Sequence, residues 1–225
     1  VAYFPNKDGE GEKAQELILK AINLATSLNA RFVNTYMGGN PARDMMTTIQ
    51  LYQRTMDPCI NQADKLGVTL LLENHFDNRN EDPDGQDVAR RPETLRYLFE
   101  FIGSPFFKLT YDPCNFFIAG EEAFPYAYQL LREYISHVHV KSATRYSEFL
   151  HGPENQFKLL PDSINGRYLP VSLYDGAVNF ESILDVLSRD RFSGYLVVEP
   201  HTEVARVETV GHENVRYVRE HLQCN

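Results

Sequence analysis

Four residues able to hold a metal ion stand at or near the C-terminal ends of short apolar runs. Glu73 closes Val68-Thr69-Leu70-Leu71-Leu72, and Asp112 closes Phe107-Lys108-Leu109-Thr110-Tyr111. His139 lies within Ile135-Ser136-His137-Val138-His139-Val140-Lys141, and Glu199 ends Gly194-Tyr195-Leu196-Val197-Val198 before Pro200. An apolar run of about 4–8 residues that stops at a polar one reads as a buried parallel strand opening on a site. Three carboxylates and one imidazole make an oxygen-rich donor set, suited to Mn2+, Mg2+ or Co2+ and compatible with Zn2+, but unlike a thiolate zinc centre. An ion held there would stabilise the enediolate left when a carbon-bound proton is removed beside a carbonyl, with the glutamates as proton carriers.

The elements that must position these groups alternate along the chain. Residues 1–4 read as the tail of a strand, and the apolar spacing of Leu17, Ile18, Ala21, Ile22, Ala25 and Leu28 predicts a helix. Strands are expected over 30–36, 68–73, 107–112, 135–140, 169–173 and 195–199, and helices over 45–66, 92–102, 123–134, 180–188 and 214–222. Polar stretches fill 77–91 and 144–168; the second is long for a structureless loop and reads as a lid carrying Arg145, Tyr146, His151 and Arg167.

Strands alternating with helices predict parallel βαβ units in an α/β fold. The candidate ligands are 39, 27 and 60 residues apart. An eight-unit barrel of about 250 residues repeats roughly every 31, so these spacings read as one, one and two units of a (β/α)8 TIM barrel. A doubly wound sheet would gather its ligands at one switch point after a glycine-rich turn, which this sequence lacks. Counted this way, the expectation is one TIM barrel domain over residues 1–225, N-terminally incomplete, without its first β/α unit and most of the second strand.

Lys and Arg number 22 against 31 Asp and Glu, a net charge of −9 with no basic cluster, which argues against nucleic acid as a partner. Cys59, Cys114 and Cys224 form no disulfide pattern, so a reducing, cytoplasmic setting is expected. No apolar stretch reaches the roughly 18 residues of a membrane span, and no membrane partner is expected.

Taken together, Tyr3-Phe4-Pro5-Asn6, Leu72-Glu73-Asn74-His75, Tyr111-Asp112-Pro113-Cys114-Asn115, His137-Val138-His139-Val140-Lys141 and Val198-Glu199-Pro200-His201 resemble the xylose isomerase-like TIM barrels. The nearest look is to the sugar phosphate isomerase/epimerase group. The resemblance implies one divalent metal on Glu73, Asp112, His139 and Glu199, with Glu73 and Glu199 as an acid/base pair across the substrate carbon. It implies a sugar or polyol ketone as the small-molecule partner; a homo-oligomer is compatible with it. Family ketose 3-epimerases grip substrate with an arginine six residues after the metal histidine, where Arg145 stands. They also use Asp-x-x-His on the strand of Asp112, and here the fourth residue is Asn115. The Gly-x-Gly near the seventh strand end becomes Tyr174-Asp175-Gly176. His75 and His201, each two residues past a ligand glutamate, are candidates to contact substrate with Asn115. Lys141 is expected on the side of His139, polarising a carbonyl or pairing with a ligand carboxylate, and so is a candidate catalytic residue. His137 is expected to face away from His139 and to pack rather than ligate.

The implied activity is isomerisation or epimerisation of a sugar, sugar phosphate or keto-polyol. The same enediolate could instead expel a β-leaving group, giving a lyase or dehydratase acting on a keto-sugar or keto-inositol. Abasic-site endonucleases share the barrel, but their three zinc ions need the histidine that Asn115 replaces, and the charge of −9 opposes DNA. A non-catalytic barrel is the remaining alternative.

Overall fold

The computed structural model describes residues 5–40, 42–78 and 87–223. The strand tail expected over residues 1–4, and part of the polar stretch 77–91, lie outside them. The first elements are helix α1 (Gly11–Ser27), strand β1 (Phe32–Thr35), helix α2 (Met45–Leu66) and strand β2 (Thr69–Glu73). Then come α3 (Pro92–Ile102), β3 (Phe107–Tyr111), α4 (Pro113–Ile118), α5 (Tyr128–Leu131), β4 (Ile135–Val140) and β5 (Ser142–Arg145). The chain continues through α6 (Glu148–His151), β6 (Leu160–Asp162), β7 (Gly166–Val171), α7 (Phe180–Arg189), β8 (Tyr195–Val198) and α8 (Val204–Gln223).

Five strands form a parallel sheet in the order β1-β2-β3-β4-β8. Its helix-facing side carries Leu70, Leu72, Leu109, Tyr111, Val138 and Val140, all buried against residues such as Tyr52, Met56, Leu95 and Leu98 from α2 and α3. Its other face curls inward. Phe32 on β1 and Tyr195 on β8, the two edge strands, meet edge to face with ring centroids 5.7 Å apart, and His137 on β4 sits 6.0 Å from Phe32 and 6.2 Å from Tyr195. This is the curl of a TIM barrel, floored by three rings below the strand ends. Gly194 lets β8 enter: a Cβ there would lie 2.3 Å from the Ser136 carbonyl oxygen.

The helices with explicit start and stop chemistry fall where the sequence predicts. Asp44 caps α2 by accepting from Thr47 N, Gly67 ends it at φ 66°, Pro92 opens α3 and Gly103 closes it at φ 63°. Phe124 is extended (φ −144°, ψ 136°) ahead of Pro125, the backbone a residue before proline prefers, so the helix expected over 123–134 becomes regular only at α5.

The main correction concerns the residues between His139 and Glu199, which stand 60 positions apart. They do not span two barrel steps: β4 pairs directly with β8, His137 opposite Tyr195 and His139 opposite Val197. The strand expected over 169–173 belongs instead to β7, which pairs antiparallel with β5 and β6 in a separate three-stranded sheet. The stretch 144–168 is therefore structured rather than a bare lid loop. At its base, Asp162 accepts from Ile164 N, Asn165 N and Asn165 Nδ2. Buried Arg90 reaches back from the 74–91 segment to Asp162 Oδ2 at 3.3 Å, to Asp77, and to the Ala119 carbonyl at 3.0 Å.

Among the described residues, no helix is long and apolar enough to cross a membrane.

Candidate metal centre

Parallel strands place their C-terminal ends side by side, and β2, β3, β4 and β8 bring Glu73, Asp112, His139 and Glu199 together. One ligand atom from each lies within 4.8 Å of the other three. His139 Nδ1 stands 3.2 Å from Glu73 Oε1, 3.2 Å from Glu199 Oε2 and 3.7 Å from Asp112 Oδ2. Among the described residues neither His139 Nδ1 nor Asp112 Oδ2, both buried, makes a hydrogen bond of good geometry, although the Lys141 ammonium lies 2.8 Å from Asp112 Oδ2. Buried polar atoms are almost always satisfied, so two such atoms aimed into one oxygen-rich space suit a cation.

Each candidate ligand is held by local chemistry. Asp112 is also the N-cap of α4: its Oδ1 accepts from Asn115 N at 2.8 Å, leaving Oδ2 for the site. Asn74 fixes the same turn from the neighbouring strand, accepting from Asp112 N at 2.8 Å and donating to Asp112 O at 2.9 Å. Glu73 has both oxygens engaged by amides, Oε2 by Asn34 Nδ2 at 2.8 Å and Oε1 by Asn115 Nδ2 at 3.0 Å. Thr110 Oγ1 donates to Asn34 Oδ1 at 2.7 Å and so orients that amide. Asn34, Thr110 and Asn74 were not singled out from the sequence; the visible signal was a polar Asn34 inside an otherwise strand-like run, Phe32-Val33-Asn34-Thr35.

Asn34→Ala removes one donor to the Glu73 carboxylate and leaves Thr110 Oγ1 without its acceptor. A loss of about 1–3 kcal/mol in urea unfolding is expected. Divalent-metal affinity should fall about 10–100-fold by calorimetry, as when an outer partner of a ligand is lost. Unchanged values for both would show that the brace is idle.

Lys141 is buried and faces the cluster. Its Nζ lies 2.7 Å from Glu199 Oε2, 2.8 Å from Asp112 Oδ2 and 3.9 Å from Glu73 Oε1. Charges this close reset one another. Burial pushes Glu73 up, but His139 and Lys141 outweigh it and bring Glu73 down to about 2. Burial likewise opposes His139 ionising, yet Asp112, Glu199 and Glu73 hold it up at about 12. Glu199, also raised by burial, is drawn well below the usual carboxylate range by His139, His201 and Lys141. Burial of Tyr36, reinforced by Glu73 and Glu199, keeps its phenol protonated far above the ordinary value.

The remaining candidates sit around this centre. His201 Nε2 is 3.2 Å from Glu199 Oε2. His75 Nδ1 lies 2.7 Å from its neighbour's carbonyl, Phe76 O, and its ring meets Tyr36 edge to face at 5.5 Å. Next to it, burial pushes Asp87 up to about 6 while His75 draws it back. The Asn115 amide nitrogen is taken up by Glu73 Oε1 and Asn74 O, leaving Oδ1 without a hydrogen bond. Arg145 is exposed at the end of β5, and among the described residues no hydrogen bond or ion pair joins it to the four ligands. His137 does not face away from His139. Strand side chains repeat every two residues, and the two rings lie on one face, 5.5 Å apart, with His137 packed one layer below.

Residues 2–223 match a family model described as xylose isomerase-like TIM barrel. A search of curated protein sequences returns no match. Among solved structures, a D-tagatose 3-epimerase-like protein superposes with a TM-score of 0.75 at 17% identity, covering 99% of this chain and 74% of that one. A xylose isomerase-like TIM barrel protein from Mycobacterium smegmatis in complex with magnesium gives 0.69 at 18% identity, over 96% and 69%. The probable 3-DHS dehydratase AsbF from Bacillus anthracis gives 0.70 at 19% identity, over 94% and 72%. This chain spans 69% to 74% of the length of these three structures. At such identities the likeness is one of fold.

Proposed function

This chain belongs to the xylose isomerase-like TIM barrel family, and from that premise we propose that it is a divalent-metal-dependent isomerase or epimerase of a sugar, sugar phosphate or related keto-polyol. The observation that carries the reading is the convergence of Glu73, Asp112, His139 and Glu199, with two buried ligand atoms lacking hydrogen bonds. The ion would be held by Glu73 Oε1, Asp112 Oδ2, His139 Nδ1 and Glu199 Oε2, and when bound it would supply Lewis acidity to a substrate carbonyl. Mn2+, Mg2+ or Co2+ fits the three oxygens and one nitrogen best, with Zn2+ as the alternative.

Proton movement falls to the two glutamates. Glu199, 31% exposed and flanked by His201, is open to a substrate carbon. Glu73, clamped by Asn34 and Asn115, presents its carboxylate from a fixed position. Lys141 adds positive charge where an oxyanion develops. His75 and His201 would meet substrate at the approach, the buried Asn115 carbonyl would do so only if substrate reaches past them, and Arg145 would reach it only by swinging its exposed side chain inward.

The test is solvent exchange. With Mn2+ in D2O, the protein should wash deuterium into the carbon next to the carbonyl of at least one ketose in a panel, read by NMR, and a chelator should stop it. Loss of a β-hydroxyl with exchange would mark the dehydratase outcome, a reading that the likeness to a probable dehydratase keeps in play. Metal-loaded protein inert toward every ketose would sink the proposal.

A further inference from the structure

The Lys141 ammonium reaches the same atoms that face the centre: Glu199 Oε2 at 2.7 Å, Asp112 Oδ2 at 2.8 Å and Glu73 Oε1 at 3.9 Å. These are also the oxygens grouped around His139 Nδ1. We propose that Lys141 is a built-in counter-ion of the cage, helping to hold the three carboxylates together and competing with a divalent ion for Asp112 Oδ2 and Glu199 Oε2.

The physical case starts from the carboxylates. Glu73, Asp112 and Glu199 put three negative charges within a few ångströms of each other, two of them almost wholly out of water. Like charges so placed repel strongly in a low-dielectric setting, and a buried charge without a partner is costly. Amide donors fix Glu73, and a helix N-terminus serves Asp112 Oδ1, but Asp112 Oδ2 accepts no hydrogen bond. Lys141 is the ammonium brought to it, and the same ammonium links it to Glu199. Strand geometry makes the placement unavoidable: Lys141 follows His139 by two residues, so both side chains enter from the same face. Its position just past the end of β4, between β3 and β8, puts it between the two strands whose ends lead into Asp112 and Glu199.

Two consequences follow. An entering divalent ion meets a cage already partly neutralised, so its net gain is smaller than four ligands alone would give. The ammonium must also give up contacts to the oxygens that the ion takes, so Lys141 becomes less confined when metal is present. Lys141 acts here through the ligands and is a positioning residue in this role, whatever it also contributes to substrate.

The inference rests on the reading of these four residues as a metal cage, and the experiment separates the two. Wild type, Lys141→Met and Lys141→Arg are freed of metal, then titrated with Mn2+ and Zn2+ by calorimetry, with melting temperatures recorded before and after loading. Lys141→Met should bind metal about tenfold more tightly or better, while melting several degrees lower than wild type when metal-free; Lys141→Arg, which keeps the charge, should show neither change. In the wild type itself, the Lys141 ammonium resonance of 15N-labelled protein should be sharp without metal and shift or broaden on adding diamagnetic Zn2+, a measurement that stands even if Lys141→Met fails to fold. Equal or weaker metal binding by a folded Lys141→Met, or an ammonium signal indifferent to Zn2+ in a protein that binds it, would overturn the counter-ion role alone. Failure of wild type and both variants to bind either metal would overturn the cage reading together with it.

Discussion

Glu199→Gln should abolish metal-dependent deuterium exchange at the substrate carbon while the protein stays folded. The exchange requires a group that takes a proton from carbon and returns one, and an amide of the same size can do neither. Removing a positioned acid/base group costs typically 10²- to 10⁴-fold in rate. Here the loss belongs at the upper end, because Glu199 Oε2 is also one of the four proposed ligand atoms. The fold should survive. Glu199 sits past the end of β8 rather than inside the core, its side chain is partly exposed, and Lys141 keeps Asp112 as a partner at 2.8 Å. Circular dichroism and the urea midpoint establish folding, and NMR in D2O reads the exchange. Wild-type exchange rates in a folded, metal-loaded variant would remove Glu199 from the proton path.

Arg90→Met should cost about 3–5 kcal/mol of stability, the largest effect expected of any single change away from the metal centre. Arg90 is buried with Asp77 at 1% and Asp162 at 0% side-chain exposure. A methionine fills similar volume but leaves two carboxylates in the interior with no cation among the described residues to replace Arg90, and the Ala119 carbonyl loses its donor. The two acids still accept backbone and hydroxyl donors, including Asp87 N and Ser163 Oγ on Asp77, so the fold is weakened rather than erased. Urea denaturation measures the change. The exposed pair Lys20–Glu16 is the internal control: Lys20→Ala removes a solvated i,i+4 pair and should leave the urea midpoint essentially where it is. Adding Asp77→Asn and Asp162→Asn to Arg90→Met should restore part of the loss. A cost below about 1 kcal/mol for Arg90→Met would mean that those charges are not buried in solution.

The parts of this molecule legible in the sequence are those written in local code. Asp44 before Met45, Gly67 after Leu66, Pro92 at a helix start and Gly103 after its end mark α2 and α3 without reference to anything distant. Glu73, Asp112, His139 and Glu199 were legible because a polar residue ending an apolar strand is itself a local signal, and parallel strands turn four such ends into one place. The antiparallel sheet was not legible. Its strands are three to six residues long and carry Pro161, Gly166 and Pro170, residues that disfavour strands, while the pairing that rescues them comes from segments across the hairpin. Short α4 is announced by Asp112-Pro113, an N-cap followed by proline, a signal that the strand-end reading of the same aspartate hides. The supports of Glu73 leave no periodic trace: Asn34 and Asn115 reach it from 39 residues before and 42 after.

The antiparallel excursion has a closed neck. It leaves β4 just after Lys141 and returns toward α7 past Ala177, whose N–H donates to Ala143 O at 3.0 Å, while Val178 N donates to Ser142 Oγ at 3.4 Å. Beyond that neck the chain comes back to a strand that is already the hydrogen-bonded neighbour of the one it left. Length added or removed at the tip, around residues 146–157, is therefore absorbed outside the barrel and leaves the register of His139 with Val197 untouched. The centre and its overhang are separable inheritances: one can be rewritten to suit a different molecule while the other keeps its chemistry.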